Sequence, residues 1–101
     1  MQDERIIILI EAKVQPRRRE ELLAALREYL PLVRAEPGVI SFHVYERKDD
    51  PNMLVLHEIY KSQAAQDCHM EQDFTKKFLT ILKSAQVEDR VRTSLVEVAA
   101  R

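Results

Sequence analysis

Between His57 and Phe78 the chain reads HEIYKSQAAQDCHMEQDFTKKF, and this stretch concentrates the side chains that could do chemistry. Glu58 and Tyr60 alternate as on a strand, so they share a face. Ser62 is placed to cap a short helix that presents His69, and Phe74 and Phe78 follow on a second helix. An imidazole titrates near neutrality and can take a proton from a phenol or an enol. Tyrosine hydroxyls can hold a substrate oxygen, and aromatic rings keep water out. The combination suits a small apolar pocket with a titratable group in its wall. His69 is the candidate base and Glu58 the carboxylate that orients or charges an imidazole. Each has a structural alternative: His69 as a helix-end cap, Glu58 as an ion-pair partner, Tyr60 as a rim aromatic, and Phe74 and Phe78 as plain core.

Two strands must position Glu58. Residues 39–47 (VISFHVYER) and 53–60 (MLVLHEIY) both alternate, and the turn-forming Lys48–Asn52 link predicts a hairpin between them. The register expected across this link pairs His43 with Glu58, Tyr45 with Leu56 and Ser41 with Tyr60. His43, Tyr45 and Leu56 then join the pocket face, while Ile40, Phe42, Val44, Val55 and Ile59 lie opposite. His43, His57 and His69 fall on different elements with no metal-ligand spacing, so no metal is expected. Cys68 is expected as buried packing, because adjacent helical residues point about 100° apart and separate it from His69.

The remaining elements follow from periodicity. Residues 5–14 (RIIILIEAKV) predict a central strand buried on both faces. Pro16 suits a helix start, and Leu22, Leu26, Leu30 and Val33 make one apolar stripe. Pro31 predicts a kink or short break near Leu30. Glu36-Pro37-Gly38 ends the element, with Gly38 expected at positive φ. Arg17, Arg18 and Arg19 at the helix start could greet an anion, but a solvated face is the simpler reading. Helices are expected over 62–69 and 72–84, and a last strand over 87–98. The order β-α-β-β-α-β specifies a ferredoxin-like α+β domain, an antiparallel sheet with helices on one face. The free face carries apolar residues and predicts a homodimer packed sheet to sheet.

The chain's 101 residues fit a single domain, 1–101, with a modest core. With 16 basic and 17 acidic residues it lacks the charge of a nucleic-acid binder. A lone cysteine forms no internal disulfide and suits a reducing cytoplasm. No apolar run reaches the roughly 20 residues a membrane span needs, and the charged MQDER start reads as the lead-in to a strand rather than a signal peptide.

The order of elements, with Glu36-Pro37-Gly38, the Glu58-x-Tyr60 strand end, Ala65 and His69, resembles the antibiotic biosynthesis monooxygenase domain over nearly the whole chain. The resemblance implies a dimeric α/β barrel and, as in quinol-type members, oxidation of a small phenolic, quinol or enol-like substrate by dioxygen with no cofactor. His69 would then generate the oxygen-reactive anion, with Glu58 and His43 tuning it. Tyr45 and Tyr60 would hold the substrate, and Leu56, Phe74 and Phe78 would exclude water. Haem degradation is disfavoured, because the chain has no asparagine before Asn52 and no tryptophan. The alternatives are an isomerase or related enzyme acting on a small phosphorylated carbonyl compound, as in autoinducer-2-processing members, and a non-catalytic ligand-binding dimer.

Overall fold

The computed structural model describes residues 4–101; the Met1–Asp3 part of the charged start lies outside them. Strand β1 (Ile6–Lys13) is followed by a 3₁₀ turn (Pro16–Arg18), helix α1 (Arg19–Arg34), the hairpin β2 (Val39–Arg47) and β3 (Asp50–Tyr60), helices α2 (Gln63–Glu71) and α3 (Asp73–Ala85), and β4 (Val91–Leu95). The four strands form one antiparallel sheet in the order β2-β3-β1-β4. This is the ferredoxin-like α+β arrangement.

The β-branched run of β1 lies between two neighbours, with Ile8 opposite Glu58 on one side and Ser94 on the other. Alternation turns Ile8 and Ala12 toward the helices, where they are buried. Helix α1 buries Leu22, Leu26, Tyr29 and Val33 against them. Tyr29 therefore takes the stripe position expected for Leu30, which is only half-buried. Each fully buried aliphatic side chain of this layer stabilises by about 1.5–3 kcal/mol. Helix α3 closes the layer with Thr75, Phe78, Leu82 and Ala85.

Three expectations need correction here. Helix α1 runs without a break through Pro31, whose ring lies on the exposed side. The packed stripe holds the helix despite the missing backbone donor. Gly38 does not have positive φ; its role is a close approach, since a Cβ there would lie 2.6 Å from the Ala65 Cβ. The last strand spans only Val91–Leu95, preceded by an isolated bridge between Val14 and Gln86.

The hairpin register also differs by one residue from the expected pairing. Only Lys48 and Asp49 separate the strands, and irregularities between Val39 and Ser41 and between Glu46 and Arg47 shift the pairing. His43 lies opposite His57, Tyr45 opposite Val55 and Ser41 opposite Ile59, while Phe42 faces Glu58. A one-residue shift exchanges the faces of a strand. Phe42 and Val44 therefore meet the helices, and His43 and Tyr45 stand on the helix-free face.

The Gly38–Ala65 approach generates a prediction. Gly38→Ala should lower stability by roughly 1–3 kcal/mol, as overpacking does, and thermal melts of the single variant and of Gly38→Ala with Ala65→Gly measure it. The second change should recover part of the loss; a double variant no more stable than Gly38→Ala contradicts the contact.

Candidate functional site

The site begins where α1 ends. Glu36, Pro37 and Gly38 turn the chain into β2, and the Lys61 N–H donates to the Gly38 carbonyl at 2.9 Å, fastening that turn to the end of β3. Helix α2 starts immediately afterwards. The Ser62 hydroxyl accepts from the Ala65 N–H at 3.2 Å, an N-cap worth about 1 kcal/mol. Ala65 packs on Gly38. His69 lies four residues further along the same helical face and so comes down onto the turn beside Glu36.

His69 is 2% exposed. Its Nδ1 lies 2.6 Å from Glu36 Oε2 and its Nε2 3.0 Å from the Tyr29 hydroxyl. A carboxylate accepts only, so Nδ1–H donates to Glu36, which fixes the ring's orientation. The Tyr29 hydroxyl is also 3.4 Å from Thr75 Oγ1. Carboxylate, imidazole, phenol and alcohol thus form one connected chain through the layer between helices and sheet. Burial raises the Tyr29 pKa above the ordinary phenol range, so this hydroxyl keeps its proton at neutral pH.

Glu58 and Tyr60, expected on one strand face, are both buried and hydrogen-bonded, the phenol donating to Glu58 Oε1 at 2.5 Å. Tyr60 also lies against the His69 ring, with centroids 5.3 Å apart. Burial is the main cause of a raised Glu58 pKa, opposed by the Tyr60 hydrogen bond and by His69, Arg92 and Arg90. Tyr60 is itself held neutral by burial and by the neighbouring carboxylate.

A cavity of about 110 Å³ lies between the sheet and the helices and is bordered by Glu58, His69, Tyr29, Phe42, Leu56 and Phe78, with Arg90 and Arg92 also in its wall. Of the residues expected at the site, the structure brings His69, Glu58, Leu56 and Phe78 to this cavity. Tyr60 stands directly behind Glu58 and His69. Phe74 lies to one side, in a shallower depression between α1 and α3 that Tyr29 and Phe78 also line. His43 and Tyr45 do not join it: they sit exposed on the opposite face, hydrogen-bonded to each other at 3.1 Å. The carboxylate that touches His69 is Glu36, not Glu58. Cys68 is exposed rather than buried, and the Gln72 side chain donates to its carbonyl at 3.1 Å. The arginine run at the start of α1 is partly used in structure, with Arg19 bonded to Glu46 at 2.9 Å.

Sequence reasoning missed Tyr29, Glu36, Thr75, Arg90 and Arg92 as site residues. Tyr29 was detectable, lying three residues after Leu26 and four before Val33 on the buried stripe. Arg92 was detectable by its alternation along β4, once β4 is paired with β1 so that Arg92 faces Ile10. No sequence spacing links Glu36 with His69.

The fold and site can be set beside known proteins. The family described as Antibiotic biosynthesis monooxygenase matches residues 5–81. A Bacillus subtilis protein named as a candidate monooxygenase, YcnE, is 32% identical over 96 residues, covering 91% of this chain and 99% of its own. An uncharacterised Synechocystis protein is 30% identical over 77 residues, covering 76% of this chain; the match spans about half, 52%, of that relative's length. Among solved structures, Rv0793 from Mycobacterium tuberculosis superposes with a TM-score of 0.86 at 25% identity, covering 95% of this chain and 97% of its own. A Nitrosomonas europaea protein, also assigned by name to the antibiotic biosynthesis monooxygenases as a candidate, reaches 0.88 at 22% identity, with 97% and 94% covered. The chain belongs to the antibiotic biosynthesis monooxygenase family.

The buried carboxyl yields a pH prediction. A carboxyl with a raised folded pKa favours the fold fully below its unfolded value and loses that contribution as pH rises through the folded value. Glu58→Gln keeps an acceptor for Tyr60, so its melting temperature should gain on the parent's as pH rises above the ordinary carboxyl range. A difference that does not change with pH would place the Glu58 carboxylate in a well-solvated environment.

Proposed function

We propose that this chain is a cofactor-independent monooxygenase that oxidises a small phenolic, quinol or enol-like substrate with dioxygen. The observation that carries the reading is the buried Glu36–His69–Tyr29 chain ending at an apolar cavity. Both nitrogens of His69 are engaged, so the imidazole acts through the Tyr29 hydroxyl. A substrate hydroxyl beside Tyr29 gives its proton to the phenol oxygen as the phenol proton passes to Nε2. Glu36 holds the resulting imidazolium in place. Glu58, buried and raised in pKa, is a second proton carrier at the same wall.

The electron-rich anion then meets dioxygen among apolar walls that keep bulk water from quenching it. One oxygen atom remains on the substrate carbon as a carbonyl and the other leaves as water, with the substrate supplying the electrons. Glu36 also borders an outer groove lined by Gly38, Ala65 and Cys68, which offers the proton a route to solvent. The second reading is an isomerase acting on a small phosphorylated carbonyl compound. Arg90 and Arg92 at the cavity favour it, because such a substrate needs an anion site.

Oxygen uptake with a panel of quinols tests the first reading. Tyr29→Phe removes one hydroxyl and His69→Ala the base, and each should lower kcat/KM by about 10²–10⁴-fold. Absence of uptake with every quinol, or uptake unchanged in both variants, overturns it.

The reading includes a homodimer placed in the cytoplasm. Tyr45, Val91 and Leu95 are 52%, 58% and 38% exposed on the helix-free face, and Val96 and Val98 beyond it 85% and 97%. A second copy laid on this face would cover them. Sedimentation should give twice the subunit mass, and Val91→Glu with Leu95→Glu should halve it. A parent that sediments as a single subunit at micromolar concentration contradicts the dimer.

A further inference from the structure

Arg90 and Arg92 are not absorbed by the proton chain. By strand alternation Arg92, opposite Ile10 on β1, turns toward the helices, and both arginines line the cavity that Glu58 and His69 border. Arg92 is exposed and Arg90 half-buried, whereas Glu58, His69 and Thr75 are buried. The guanidinium side is therefore the open end of the cavity and the imidazole side its floor.

The charge balance at that open end is uneven. The Arg90 guanidinium donates to the Gln86 side chain at 3.1 Å, and neither arginine forms an ion pair with a described residue. The acid they face is Glu58, whose pKa is raised because burial outweighs their attraction. Two permanent positive charges thus look onto one carboxyl that resists ionisation, and the rest of the wall is mostly apolar, with Gln66, His69, Tyr29 and Thr75 as its uncharged or switchable polar groups. Guanidinium is the side chain best matched to the planar or trigonal oxygens of a carboxylate or a phosphate. The cavity, about 110 Å³, is of the order of those that hold a single ring; one of about 150 Å³ admits benzene.

We propose that the substrate is a small anionic molecule, with a carboxylate or phosphate docked on Arg90 and Arg92 and its apolar, ring-sized part inserted toward Tyr29 and Phe42. This rests on the cavity being the substrate site proposed above, but not on the use of dioxygen. The arginines hold the anionic end in solvent-facing positions, where desolvation is modest. They thereby fix which end of the substrate reaches Tyr29. A neutral quinol of the same size would lack that orientation.

Calorimetric titration of the intact protein with benzoate, phenyl phosphate and benzyl alcohol tests this, using the parent, Arg90→Gln, Arg92→Gln and the double variant. At least one of the two anions should bind about tenfold or more tightly than the neutral alcohol, and the double variant should lose that preference. Whether benzoate or phenyl phosphate binds better assigns the anionic group. Added salt should weaken the anion and leave the alcohol unaffected. Equal binding of all three probes, or an anion preference that survives in a folded double variant, overturns the proposal. The titration involves no turnover. If anions fail to bind while quinol-driven oxygen uptake persists, only this proposal falls; if anions bind without uptake of oxygen, only the oxygenase reading falls.

Discussion

The contact between Glu36 and His69, at 2.6 Å, is the constraint around which the rest of this molecule is arranged. It joins the end of α1 to the end of α2 across 33 residues of sequence, and without it the Nδ1 of an imidazole 2% exposed would be buried with no partner. Gly38 is part of the same device. With no Cβ it lets Ala65 approach, and one helical turn beyond Ala65 the histidine reaches the carboxylate. Tyr29 completes the ring's hydrogen bonding from the other side and turns it toward the cavity. Packing and hydrogen bonding therefore share the same atoms: the stacked Tyr29 and Phe78 rings, with centroids 4.3 Å apart, hold the phenol within hydrogen-bond reach of the imidazole.

Much of this could be read from the residues. The alternation of β3 placed Glu58 with Tyr60, the Ser62 cap set the phase of α2, and together they brought His69 toward the Glu58 side of the sheet. The element order specified the sheet topology, because a buried β-branched run needs neighbours on both edges. What could not be read was long-range or depended on a single residue. Glu36 looked like the last acid before a Pro-Gly turn, and only the folded chain shows which imidazole it meets. The faces of β2 depended on its register against β3, which runs unbroken from Ser41 to Glu46 and sets Phe42 opposite Glu58. That register sends His43 and Tyr45 away from the site and brings Phe42 into it.

The same geometry separates two jobs that a single carboxylate was expected to share. Glu36 positions the imidazole from behind, while Glu58, bonded to Tyr60, lines the cavity together with His69 and faces the two guanidinium groups. The cavity thus has an imidazole–phenol floor and a cationic rim, separated by apolar side chains from three strands and two helices. A substrate with one ionisable hydroxyl and one anionic end would span that separation, and this polarity distinguishes the site from a simple greasy pocket.

The most direct test of this account is a long-range ¹H–¹⁵N correlation spectrum of the His69 ring near neutral pH. A slowly exchanging proton on Nδ1, whose resonance shifts in Glu36→Gln, is the result the account predicts. A ring with a bare Nδ1, or one whose protons exchange at the rate of a solvent-exposed histidine, would contradict it.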